Sequence, residues 1–93
     1  FLENYRVEWA ILGASGLDED GASDALIEAS EVYAVMMERA TRSMIVADHT
    51  KFNQAFPARY CDWGNVDILI SDQTPPGSLG DTIRDTGCLI KAG

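Results

Sequence analysis

The sequence predicts an α/β fold of three layers, built on a mostly parallel sheet. Three observations lead there. Four short apolar runs recur along the 93 residues, near 8–12, 43–47, 66–70 and 88–91. Each is short and mostly apolar, the mark of a strand in a sheet covered on both faces. Helical patterns or long crossovers separate the runs, which gives neighbouring strands the length of chain they need to lie parallel.

The first run, Glu8-Trp9-Ala10-Ile11-Leu12, closes on Gly13. Residues 13–21 form a loop of small side chains with Asp18, Glu19 and Asp20 at its end. A helix follows, because Ala29, Val32, Met36 and Ala40 recur at spacings of 3, 4 and 4 with Tyr33 and Met37 beside them. Arg39 and Arg42 are expected in its last turn, at the negative end of the helix dipole. Its start has two readings: Ser23 or Asp24 would cap a long version, Ser30 a short one. Residues 43–48 are the second strand and run into the loop His49-Thr50-Lys51-Phe52. Pro57 discourages a central strand or helix around it, Ala58-Arg59-Tyr60-Cys61 fits a short edge strand, and residues 62–65 have turn chemistry. Residues 66–72 are the third strand. Thr74-Pro75-Pro76-Gly77 then interrupts the chain and puts proline at a helix start. That short helix has Leu79 and Ile83 on its inner face and Gly87 as its stop. Residues 88–92 are the last strand. No repeat, low-complexity tract or linker divides the chain, so residues 1–93 read as one domain.

Composition removes several functional classes. With 46% hydrophobic and 24% charged residues the chain is globular rather than disordered. Its 15 acidic and 7 basic residues leave a net charge of −8. Such a surface repels backbone phosphates and anionic lipid, so the chain is not expected to hold DNA, RNA or a membrane surface by itself. No run approaches the ~18 apolar residues of a membrane span, and residues 1–6 lack the layout of a signal peptide. The first residue is Phe1, not methionine, which points to a piece of something larger. A domain this short hides only about two thirds of its unfolded surface. Apolar surface left bare is therefore expected to be covered by a second copy, in a homo-oligomer. Cys61 and Cys88 are not in a CxxC spacing and are expected to be buried free thiols in a reducing, cytoplasmic setting. His49 is the sole histidine, which argues against a zinc site. No cofactor is expected.

Ligands of open parallel sheets bind beyond the carboxyl ends of the strands. Two such ends carry unusual loops: Gly13-Ala14-Ser15-Gly16 with Asp18 and Gly21, and Asp48-His49-Thr50-Lys51. Small residues in the first let a ligand approach backbone N–H groups. The second offers an anion the hydroxyl of Thr50 and the ammonium of Lys51. Lys51 and Lys91 are the two lysines of the chain, so a lysine at a strand end is informative. The plain alternatives are tight turns for the glycines, a solvated side chain for Lys51 and a capping role for Asp48. No catalytic set stands out. Asp18, Glu19 and Asp20 are in the position of solvated acids, one histidine with scattered serines makes no triad, and the glycine loop is neither GxGxxG nor a Walker loop. Met36, Met37, Tyr33, Trp9 and Trp63 read as core or interface.

Taken together, Ile11-Leu12-Gly13-Ala14-Ser15-Gly16-Leu17-Asp18 with Gly21, Ala47-Asp48-His49-Thr50-Lys51-Phe52, and Val66-Asp67-Ile68-Leu69-Ile70-Ser71-Asp72 resemble the effector-sensing domain of DeoR-type bacterial transcriptional repressors. The likeness runs from about Leu2 to Ile90, and Ala-Asp-x-Thr/Ser-Lys-Phe is its most specific element. Residues 18–22 and His49 are similar to the glycerol-3-phosphate regulon repressor branch, while residues 22–30 depart from it. The resemblance implies part of a sensor domain with the fold of ribose-5-phosphate isomerase and CoA transferases. It also implies a phosphorylated sugar or related metabolite as effector, and an N-terminal winged helix-turn-helix, absent here, that binds operator DNA. Carried over, the ligand loop is Gly13, Ala14, Ser15, Gly16 and Asp18, with Gly21 shaping the return. Asp48 and Lys51 form the second wall, with Lys51 as the phosphate contact. The alternative is a fragment of a phosphosugar isomerase-like enzyme. A plain oligomerisation module is a third reading.

Overall fold

A computed structural model describes residues 6–93; the start of the family likeness, at Leu2, lies outside them. The elements follow in the order β1 (Val7–Leu12), β2 (Gly16–Asp18), β3 (Gly21–Asp24), α1 (Ile27–Arg39), β4 (Ala40–Val46), β5 (Ala58–Cys61), β6 (Ile68–Ser71), α2 (Gly77–Asp85) and β7 (Leu89–Ala92). The four apolar runs are β1, β4, β6 and β7. They pair in that order, each neighbour parallel, into one sheet. Its register sets Leu12 beside Ile45, Ile45 beside Leu69 and Leu69 beside Ile90.

Alternation then decides the core. Ala10, Leu12, Ser43, Ile45, Leu69 and Ser71 share one face and are all buried. Leu79 and Ile83 of α2, Leu17 and Ala22 of the β2–β3 segment, and Trp63 join the same buried cluster, with Tyr33, Met36 and Met37 of α1 packed against it. Both helices therefore lie on one side of the sheet. The other face carries Val7, Trp9 and Ile11 of β1, Val46 of β4 and Leu89 of β7, all exposed, Ile11 by 62% and Leu89 by 60%. Arg42 lies over the Trp9 ring there, 5.8 Å from its centre. Coverage of both faces was the expectation; among the described residues only one is covered. The cause is topological. Each crossover moves one strand further in the same direction, and right-handed connections then place every connecting element on the same side.

A second, antiparallel sheet of order β2-β3-β5 packs into that covered side. β5 is its edge, matching the edge strand expected at residues 58–61. The β2–β3 hairpin stands where the sequence predicts only a loop. These strands are three and four residues long and built largely from Gly, Ala, Ser and Asp, residues of low strand preference, so no alternating pattern announces them. Backbone geometry makes the hairpin. The Asp18 carboxylate accepts the N–H groups of Asp20 and Gly21 at 3.0 and 3.1 Å, closing the turn. Gly21 has φ +143°, and a Cβ there would sit 1.9 Å from the Cys61 carbonyl oxygen.

Helix α1 begins at neither expected start. Leu26 occupies the cap position without a side-chain cap, and the Asp24 carboxylate accepts the Leu26 N–H at 2.9 Å just before it. Ser30 is inside the helix, its hydroxyl donating to the Ile27 carbonyl at 2.7 Å. Arg39 is in the last turn as expected, but Arg42 is not: the chain passes straight from α1 into β4 at Ala40. Helix α2 buries Leu79 and Ile83, and Gly87 follows it at φ +91°. Cys61 and Cys88 are free and buried, and burial pushes each thiol up to about 11.

Candidate functional site

Parallel strands bring their carboxyl ends to one edge of the sheet. The ends of β1 and β4 lead into the two loops singled out from the sequence, and the structure joins them. Leu17 pairs with Phe52 in an isolated parallel bridge. Gly16 lies so close to the second loop that a Cβ would be 2.3 Å from the Gln54 carbonyl oxygen. The glycine is thus needed for the contact between the loops. Gly13 differs: nothing lies within 4 Å of where its Cβ would be, and its carbonyl accepts the Tyr60 hydroxyl at 2.6 Å. Beside it, the Ser15 N–H donates to the Ser23 carbonyl at 3.0 Å, and the Ser15 hydroxyl oxygen accepts the Ala25 N–H at 3.4 Å. Ala14 is partly buried against the core.

The second loop is a single 3-10 turn, His49–Lys51, capped by Asp48. The Asp48 carboxylate accepts the Thr50 hydroxyl and, at 2.9 Å, the Thr50 N–H. These two bonds, the hydroxyl's first, hold the carboxyl below the usual carboxylate range. Thr50 is therefore committed to Asp48. Among the described residues Lys51 forms no ion pair, whereas Arg59 and Arg84 each meet an aspartate at 3.6 Å.

Sequence reasoning missed one pair. The carboxylate of Asp72, just past β6, accepts the His49 N–H at 2.8 Å and meets the His49 ring Nδ1 at 2.6 Å. The Ser71 hydroxyl donates to it at 3.2 Å. The bond from the His49 ring is the main cause that holds the Asp72 carboxyl below its ordinary value. The sequence carries no signal for this pair, since it follows from the strand register: Val46 pairs with Ile70, which puts Asp72 level with the turn that follows β4. Between these ends lies a recess of about 310 Å³ bordered by Ala47, Asp48, Ser71 and Asp72. A larger one, about 460 Å³, opens at the amino ends of β4 and β6 beside Glu38, Thr41 and Asp67 and contains none of the residues chosen from the sequence.

The acids at the end of β2 and in the turn after it each have a partner. Asp18 closes its turn. Glu19 accepts the hydroxyls of Ser78 and Thr82 on α2 at 3.0 and 3.2 Å. Asp20 pairs with Arg59. None is poised as a general base. Among the described residues there is no group of metal-ligating side chains and no helix long and apolar enough to cross a membrane.

Residues 1–73 match the family model of the DeoR C-terminal sensor domain. The chain is 29% identical over 86 residues to the HTH-type transcriptional repressor GlcR of Bacillus subtilis (strain 168), covering 92% of this chain and 33% of that protein. It is 29% identical over 89 residues to the glycerol-3-phosphate regulon repressor of Escherichia coli (strain K12), covering 91% and 34%. With the deoxyribose operon repressor of the same strain the figures are 33% over 75 residues, covering 80% and 30%. The chain thus spans about a third of the length of the curated relatives it matches.

Proposed function

This chain belongs to the DeoR C-terminal sensor domain family, and from that premise we propose that it is the effector-binding part of a cytoplasmic transcriptional repressor. The effector is a phosphorylated sugar or glycerol 3-phosphate. Its occupancy sets the operator affinity of a winged helix-turn-helix domain outside these 93 residues, of which they form part of the sensor. The relatives named above are repressors by name, and one of them is named for the glycerol-3-phosphate regulon, which supports an anionic metabolite as ligand. They also leave the isomerase-like alternative without support, as do the partners that occupy Asp18, Glu19 and Asp20.

The observation that carries the assignment of the site is the Leu17–Phe52 bridge. It unites the two loops, beside which the Lys51 ammonium forms no ion pair among the described residues. In this proposal Gly13 and Ala14 present backbone to the ligand, and Ser15, whose N–H is committed to Ser23, helps to hold the loop. Gly16, Asp18 and Gly21 hold the loop in shape, Asp48 and Thr50 fix the turn, and Lys51 contacts the phosphate. A carboxylate beside a phosphate would repel it, but Asp48 is committed to Thr50. The chain itself makes no DNA contact, since its charge of −8 opposes one. It associates with a second copy through the bare sheet face.

Calorimetry of the full-length repressor against sugar phosphates and glycerol 3-phosphate tests the site. A charge-assisted hydrogen bond contributes about 1.5–3 kcal/mol. Lys51→Ala is therefore expected to weaken binding of the cognate ligand roughly tenfold or more, with thermal stability unchanged. Equal affinity in parent and variant would return Lys51 to the status of a solvated lysine.

A further inference from the structure

We propose that His49 is a second anion contact of this sensor site, with Nδ1 committed to Asp72 and Nε2 left for the phosphoryl group of the effector. The inference rests on the effector-binding reading above and extends it to a residue that reading does not use.

Asp72 holds His49 at two points, the backbone N–H at 2.8 Å and the ring nitrogen at 2.6 Å. An ionised carboxylate only accepts, so the proton between them belongs to Nδ1. That fixes the tautomer and pins the ring, which lowers the ordering cost of any contact made by its other nitrogen. Among the described residues Nε2 has no partner, and the side chain is 48% exposed, so a ligand can reach it. The pair sits on the strand ends beside the recess bordered by Asp48 and Asp72, one residue from Thr50 and two from Lys51. A chain of charge −8 needs such a device to hold an anion. Here each strand-end acid is tied to N–H groups of the turn, Asp48 to Thr50 and Asp72 to His49, and the turn's two basic side chains remain available.

The consequence is a pH dependence of known sign. With Nδ1–H fixed, neutral His49 offers a lone pair at Nε2, which an anion rejects; the imidazolium offers Nε2–H, which an anion accepts strongly. The charged groups around it are Asp72, just past β6, and Asp48 and Lys51, on its own turn. A bound anion favours the imidazolium over the neutral ring. Affinity is then greatest where the ring is protonated and falls as rising pH removes that proton.

The experiment uses the full-length repressor with isotope-labelled histidine, and inorganic phosphate and sulfate as probes; sulfate keeps its charge across the pH range. The ring signal that disappears in His49→Gln identifies His49 in the parent spectrum. Saturating probe is expected to raise the pH midpoint of that signal. Sulfate affinity, by calorimetry, is expected to fall about tenfold between pH 5.5 and 8 in the parent and to be flat in His49→Gln. Asp72→Asn, which keeps an acceptor but removes the charge, is expected to shift the fall to lower pH. If Lys51→Ala abolishes phosphate binding while the parent's His49 midpoint is unmoved by either probe, the inference is overturned and the effector site stands. If the parent binds neither probe nor any sugar phosphate or glycerol 3-phosphate, the effector-binding reading falls, and this inference with it.

Discussion

Gly13, Gly16 and Gly21 read alike in the sequence, yet the structure gives them different obligations. Gly21 combines a left-handed φ of +143° with a carbonyl oxygen 1.9 Å from any Cβ. Gly21→Ala therefore meets both backbone strain and collision, and is expected to cost about 2 kcal/mol or more. For a chain of this size that lowers the melting temperature by roughly 10 °C. Gly13→Ala meets open space at an ordinary φ and should leave the melting temperature within a degree or two, or raise it slightly through the unfolded chain. Thermal unfolding of the two variants side by side checks the contrast; equal losses would contradict the packing described for the hairpin. The same scale shows what could be read in advance. Asp48 as a cap and Lys51 as a strand-end cation are local features, legible within four consecutive residues. The His49–Asp72 pair spans 23 positions and exists only through the β4–β6 register, which a single sequence does not print.

Among the elements, the four parallel strands were legible because residues 8–12, 43–47, 66–70 and 88–91 are short, mostly apolar runs separated by turn residues, helices or crossovers. The β2–β3 hairpin was not, because its stability comes from the Asp18 turn and close backbone contact with Cys61 rather than from side-chain pattern. Helix α1 was legible by its stripe but not by its start. Both serines and Asp24 had capping chemistry, yet the first turn starts after Leu26, which has none. The Leu26 backbone is extended, at φ −107° and ψ 125°, the conformation a capping residue adopts. Leu26→Asp is therefore expected to stabilise the domain by about 1 kcal/mol, through a new bond to the free N–H groups of the first turn and the helix dipole. Denaturant unfolding measures it. A loss of stability would mean that Leu26, though exposed, has a packing role.

For the whole molecule the decisive feature is the one-sided sheet. The face carrying Val7, Trp9, Ile11, Val46 and Leu89 is apolar and open, and such a surface favours association. Sedimentation of this chain is expected to show self-association that grows from micromolar to millimolar concentration. Ile11→Lys is expected to weaken it several-fold without loss of stability, since the side chain is 62% exposed. A clean monomer throughout would remove the second copy from the proposal. The sequence indicated surplus apolar surface but not its location, because both-face coverage and one-face coverage produce the same apolar strands. Only the direction of the crossovers separates them.

That direction also governs the order in which the molecule can be built. In the strand order β1-β4-β6-β7 each strand docks against the one laid down before it, and none has to be threaded between two already joined. A chain emerging from the ribosome, amino end first, can therefore grow this sheet outward from β1 like courses added to a wall. Removing β7 would shorten the wall by one course and leave every earlier ladder intact.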